Sequence, residues 1–282
     1  MTRRPPSLFR PVRLNHPAAF LTAAIGVLAM VGWTFGVEVL KRVLPGLAAM
    51  NPASAICFVL AAVSLALIPE KSPRSLPAGL TNLARVCAGL VIMVGAAQAL
   101  AFLGGPDLRI DQILFASDFR KGLSQRALMA PLTALNFFLI GNALILLHSP
   151  RRRGSPLVSI AALVAGFQAI VAVLGYLYGV GAFYGLTSHI PMALHTAVGF
   201  LVLAFGILDC QSRHGLLAAI GGNTVGGKMA RRLLPAVILV PAILGWFRVE
   251  AVHRGFFGEE FGVALYTVIN MLVFSILVTS NA

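Results

Sequence analysis

Hydrophobic residues run along this chain in eight stretches, near 18–40, 52–69, 83–104, 130–148, 156–180, 191–209, 233–250 and 261–280, with short polar or basic connections between them. Crossing the hydrocarbon of a bilayer takes about 20 apolar residues per helix. The pattern therefore predicts an all-α polytopic membrane protein with eight transmembrane helices. A short phrase repeats at the start of the even-numbered stretches: Asn51-Pro52-Ala53-Ser54-Ala55, Ala130-Pro131-Leu132-Thr133-Ala134, Ala193-Leu194-His195-Thr196-Ala197 and Ala264-Leu265-Tyr266-Thr267-Val268. Such self-similarity is the mark of a repeated supersecondary unit. The reading is four helical hairpins, near 18–69, 83–148, 156–209 and 233–280, within a membrane domain over 18–282 that follows a basic N-terminus over 1–17.

The odd-numbered helices repeat more loosely. Gly32-Trp33 precedes Ser54 by 22 residues and Gly245-Trp246 precedes Thr267 by the same 22, which gives the first and last hairpins one register. Gly95 and Gly166 are the corresponding starts in the middle hairpins, at 38 and 30 residues from Thr133 and Thr196. Gln98 and Gln168 then occupy matching places.

Composition supports membrane insertion: the 282 residues are 58% hydrophobic and 11% charged with mean hydropathy +0.88, whereas a soluble domain carries about a quarter charged residues. The net charge of +13 is a topology signal. Arg3, Arg4, Arg10 and Arg13, then Lys71, Arg74 and Arg85, then Arg151 to Arg153, then Arg213, Lys228, Arg231 and Arg232 fall on one side, with only Glu70 and Asp209 as acids. The other side is nearly neutral. Cytoplasmic connections retain positive charge, so both termini are expected in the cytoplasm and the repeated phrases at the outer ends of their helices. Bases scattered over four short loops suit anionic lipid headgroups and make nucleic acid a poor partner.

The repeated phrase suggests a site. Ser54, Thr133, Thr196 and Thr267 would set four hydroxyls at one level, lining an outer cavity, with His195 beside Thr196 and Asn136 one turn along from Thr133. The competing account is helix capping and close packing by the small residues that follow them. Asn142, Asn270, Gln98 and Gln168 lie within spans, where amides commonly fix helix packing. Glu38, Glu250, His189, His195 and His253 gather ionisable groups at the outer ends, a set able to relay a proton or hold a metal. No spacing places two ligands on one helix face, so no metal is assigned and no cofactor is identified. Cys57, Cys87 and Cys210 lie in or at the ends of spans, without paired spacing. Gly222 to Lys228 fits the phosphate-loop pattern, but Met229 stands where magnesium binding needs a hydroxyl, and a membrane helix follows.

Several phrases, taken in order, carry a resemblance: Leu44-Pro45-Gly46 with Met50-Asn51-Pro52; Asp107 to Phe115; Met129 to Phe137; Met192 to Ala197; and Gly226 to Pro235. Over roughly residues 20–280 the chain resembles the multi-spanning N-terminal sensor region of bacterial PAS-containing histidine kinases and diguanylate cyclases. Arg109 departs from the glycine expected after Asp-Leu. The resemblance implies a multi-pass protein of the bacterial inner membrane, a homodimer, and an input module that passes a stimulus through its last helix to a cytoplasmic output domain. The chain has no phosphoacceptor region, nucleotide lid or cyclase motif, so it is read as non-catalytic, either the membrane part of a longer protein or a stand-alone relative. The alternative reading is a small transporter, with a break at Pro241 and Gly245 in the seventh helix, or a haem- or quinone-binding membrane protein.

Overall fold

The computed structural model describes residues 14–69, 76–104, 129–180, 190–211 and 225–280. Among them every regular element is an α-helix: α1 (Asn15–Phe35), α2 (Glu38–Arg42), α3 (Pro52–Ala66), α4 (Ala78–Phe102), α5 (Pro131–Leu147), α6 (Pro156–Tyr178), α7 (Leu194–Cys210), α8 (Val225–His253) and α9 (Glu259–Thr279). Among the described residues, five stretches are long and apolar enough to cross a membrane: α1, α4, α6, α9 and the Pro235–His253 part of α8. The chain is a multi-pass membrane protein. The other three apolar helices, α3, α5 and α7, have only 15, 17 and 17 residues. At 1.5 Å per residue they reach about 23–26 Å, short of a hydrocarbon core of about 30 Å. The expected spans near 52–69, 130–148 and 191–209 are thus short helices entered from non-helical backbone.

Their surroundings explain why this is tolerated. Each short helix packs along the long helix before it, α3 on α1, α5 on α4 and α7 on α6. The three pairs then close into a ring, through α3 against α4, α5 against α6 and α7 against α1, while α3, α5 and α7 also touch one another. The short helices are therefore the inside of a pseudo-threefold bundle and the long ones its wall. Irregular backbone at membrane depth is stable when it is enclosed by protein. Met50, Met129 and Met192, just ahead of the three short helices, are fully enclosed. The Met50 carbonyl accepts from Trp33 Nε1 at 2.9 Å and the Met192 carbonyl from the Tyr176 hydroxyl at 2.6 Å.

Close approach within hairpins rests on glycine. A Cβ at Gly26 would lie 2.6 Å from the Ala55 carbonyl oxygen, and one at Gly95 would lie 2.6 Å from the Phe138 nitrogen and 2.8 Å from the Ala134 oxygen. Gly26, not Gly32, is therefore the counterpart of Gly95, since Gly32 packs instead on Leu40 and Lys41 of α2. Gly166 faces Ala204, whereas Gly141, which holds the place of Ala204 in α5, faces Ala88 and Ile92. Gly166 thus corresponds to Ala88 and lies about two turns from the level of Gly95, so Gln98 and Gln168 are not equivalent. The shared Gly-Trp register fails as well: Trp33 is buried and Trp246 exposed.

The ring is stitched at its basic end by hydrogen bonds within and between hairpins and their connections. His148 Nε2 lies 3.0 Å from the Ser64 carbonyl, so it carries the proton and donates there. Arg153 donates to the Pro69 carbonyl at 2.8 Å, Arg85 to the His148 carbonyl at 3.0 Å, and Gln211 Nε2 to the Arg153 carbonyl at 2.7 Å. The Leu14 N–H reaches Asp209 Oδ2 at 2.8 Å and closes the circuit from the third hairpin to the first.

The fourth hairpin does not join the ring. Its helices α8 and α9 pack on each other, and contact with the rest runs mainly through α6. In the apolar windows of α8 and α9 the buried shares are 0% and 6%, against 33–39% for α1, α4 and α6. The Tyr178 hydroxyl donates to the Ala242 carbonyl at 2.9 Å, and Gly245 leaves the space that this ring occupies. Four equivalent hairpins were expected; three form a core and one is peripheral.

Overpacking a buried contact costs about 1–3 kcal/mol. Gly26→Ala and Gly95→Ala should each lower stability by that amount in detergent unfolding, because the new methyl meets backbone. Gly89→Ala, in a helix with nothing within 4 Å, should be neutral or slightly stabilising.

Candidate functional site

The site is built on a second repeat nested in the first. Four residues after Ser54, Thr133 and Thr196 come Phe58, Phe137 and Phe200, a spacing that keeps hydroxyl and ring on one helix face. The three rings meet on the ring's axis, with centroids 5.0 Å apart for Phe58 and Phe137, 5.0 Å for Phe58 and Phe200, and 4.7 Å for Phe137 and Phe200. All three pairs are edge-on or tilted, the arrangement aromatic quadrupoles favour. They plug the axis. Ser54, Thr133 and Thr196, one turn further toward the N-terminal ends of these helices, are all buried. Three of the four predicted hydroxyls therefore share one axis.

Thr267 does not. It bonds back to the Val263 carbonyl at 2.9 Å on an exposed part of α9, and the residue four beyond it is the exposed Met271. Glu38 and Glu250 are also elsewhere. Glu38 lies beyond the end of α1, which Gly36 closes in a left-handed cap at φ 72°. It pairs with Lys41 at 3.0 Å and Arg42 at 2.8 Å. The hydrogen bond from Lys41 and the charges of Lys41 and Arg42 hold its carboxyl below the usual range. Glu250 pairs with Arg254 at 2.7 Å along its own helix. His253 is exposed and His189 lies outside the described residues. Of the expected gathering of acids and histidines, Glu38 and Glu250 are thus held in local ion pairs, and among the described residues no three potential metal ligands come together.

What remains at the axis is polar and uncompensated. Asn136 is fully buried, and neither its oxygen nor its nitrogen has a partner among the described residues. Both ring nitrogens of His195 are buried and equally unpartnered. Each breaks the threefold pattern: Asn136 stands where the other hairpins have Cys57 and Gly199, and His195 where they have Ala53 and Leu132. A Cβ at Gly199 would touch the Phe58 ring at 2.8 Å, so that helix position looks toward the next hairpin. His195 is four residues earlier on the same face. Of the remaining amides, Asn142 and Asn270 bond back one turn, at 2.8 and 2.9 Å. Cys57, Cys87 and Cys210 are buried thiols.

The phenylalanine triad, the enclosed methionines and the basic-end stitches were absent from the sequence reading, although a signal existed. Methionine four residues before the hydroxyl and phenylalanine four after it recur in three of the four phrases, and the fourth lacks both. No protein-family model, curated protein or solved structure matches the chain.

An unpaired buried polar group costs about 1–3 kcal/mol. Asn136→Leu and His195→Leu should therefore stabilise the purified protein by roughly that amount. A clear fall in thermal stability for both would show that each side chain is already compensated.

Proposed function

We propose that this chain is the transmembrane sensory input module of a bacterial signal-transduction protein, of the kind that feeds a histidine kinase or a diguanylate cyclase. It sits in the inner membrane with its chain crossing eight times, three of the crossings completed by non-helical backbone, both ends cytoplasmic, and signals as a homodimer to an output domain in the same or a longer chain. The module itself is non-catalytic. One observation carries this reading: a closed ring plugged by three aromatic rings, with a separate hairpin held mainly at α6. A packed ring with isolated buried polar groups suits detection of a stimulus, and a loosely held hairpin ending in α9 suits relay. The stimulus acts by favouring one packing of α8 and α9 over another. Ser54, Thr133, Thr196, Asn136 and His195 are its receiving end.

Transport is the weaker reading on two counts. The axis is filled by phenylalanine, and α8 runs unbroken from Val225 to His253 through both Pro235 and Pro241, where a transporter's discontinuous helix would be interrupted.

The test is a gene deletion in the source bacterium, complemented by the wild-type gene or by the Thr133→Ala, Thr196→Ala, His195→Ala triple variant. Transcript profile and cyclic dinucleotide level are the readouts. A sensor predicts that the variant inserts normally yet matches the deletion. Wild-type signalling from the triple variant sinks the site, and stimulus-independent solute uptake by proteoliposomes of the purified chain sinks the sensor. Spin labels should also give a narrow distance distribution between α3 and α5 and a broad one between α3 and α9, and equal widths would remove the relay.

A further inference from the structure

Between α8 and α9 lies a groove of about 230 Å³ that the signalling reading leaves unused. Phe247, Ala251, Phe257, Leu265 and Ile269 make its walls apolar, and Arg248 is the one charged side chain that lines it. The Arg248 Nε is buried and has no partner among the described residues. Its nearest carboxylate in sequence, Glu250, is already paired with Arg254. Arg248 as a whole is half-buried, and a guanidinium on an apolar groove whose Nε is shielded from water without a partner favours an anion there.

The position of the groove narrows the choice of anion. Arg248 falls in the apolar part of α8, five residues from its end at His253, or about 7–8 Å along the axis. That depth is near the boundary between acyl chains and headgroups. The α8 and α9 windows are 0% and 6% buried by protein, so the groove opens to whatever surrounds the bundle, which for a multi-pass membrane protein is lipid. Its volume is below that of a typical small-molecule pocket, about 300–1,000 Å³, and suits one segment of an acyl chain.

We infer that the α8/α9 groove, with Arg248 at its edge, binds an anionic phospholipid, taking an acyl chain between Phe247 and Ile269 and the negatively charged headgroup on the guanidinium. The inference rests on the membrane placement of these helices and not on the signalling reading, so the two fail separately. Bound lipid would fill the gap between the two helices of the fourth hairpin and link their packing to membrane composition.

Native mass spectrometry of the full chain in non-ionic detergent tests this, with phosphatidylglycerol and phosphatidylcholine of identical chains as probes. Wild type should bind phosphatidylglycerol about tenfold more tightly or better, the scale of one charge-assisted hydrogen bond. Arg248→Gln should bring it to the phosphatidylcholine level, and Arg248→Lys should keep most of the preference. Ala251→Phe, which fills the groove, should weaken both lipids. Equal binding of the two lipids by wild type overturns the inference, as does an unchanged preference in Arg248→Gln. Displacement of phosphatidylglycerol by millimolar inorganic phosphate would assign the guanidinium to a soluble anion instead. Circular dichroism separates loss of binding from loss of fold, and the lysine variant carries the headgroup test if the glutamine variant does not fold.

Discussion

Backbone groups cannot be left bare in hydrocarbon, and three inner helices too short to span it make this the governing constraint of the molecule. Non-helical backbone leads into each of α3, α5 and α7, so that stretch of chain must be sheltered. The methionine ahead of each helix is enclosed, Trp33 and Tyr176 satisfy two of the exposed carbonyls, and Asn51 caps the Ser54 N–H at 3.2 Å. Sheltering on all sides takes more than one hairpin. Closure of three pairs into a ring is the arrangement that provides it, and the small residues at Gly26, Gly95 and Gly141 let the pairs come close enough.

That closure sets the terms for everything at the axis. With lipid as the outside solvent, apolar burial gives little drive between helices, and packing and polar contacts decide. The phenylalanine triad supplies packing at the centre, and the basic end supplies directional bonds through His148, Arg85, Arg153 and Gln211. Asn136 and His195 contribute neither. They sit where threefold repetition would place a small or apolar residue, and they cost stability there. Buried polar groups without partners inside an otherwise regular frame call for an explanation, and the proposed sensory role supplies one.

Much of this was legible from residue order. The hairpins could be read because each short helix opens with the same small-hydroxyl-small phrase, and that phrase is the packing surface itself. Helix class, pairing of neighbours and the shared level of Ser54, Thr133 and Thr196 followed from it. The equality of the fourth hairpin was misread because Thr267 matches the phrase while its context does not: Met271 replaces the phenylalanine, and no methionine stands four residues before. The odd helices were aligned on the wrong glycines because loops of unequal length hide register, and only contact shows that Gly26 and Gly95 touch equivalent carbonyls. Pairing of Glu38 and Glu250 with near neighbours was also invisible as an outcome, since an acid at a helix end has several cations within reach.

The division between ring and hairpin has a mechanical consequence. Inside the ring, displacement of one helix must break contacts with two others for a wall helix and four for an inner one, together with the polar stitches at the basic end. Outside it, α8 and α9 keep mainly each other and the contact of Tyr178 with Ala242 and Gly245. Motion therefore costs least where α8 meets α6, and a difference in how α6 is packed bears on the hairpin mainly at that contact. Tyr178 lies in the last turn of α6, at the same end of its hairpin as His195, so the peripheral hairpin joins the ring away from the basic-end stitches. In the proposed sensor, a change of packing at the axis would reach the peripheral helices through α6, at the end of the ring away from the stitches.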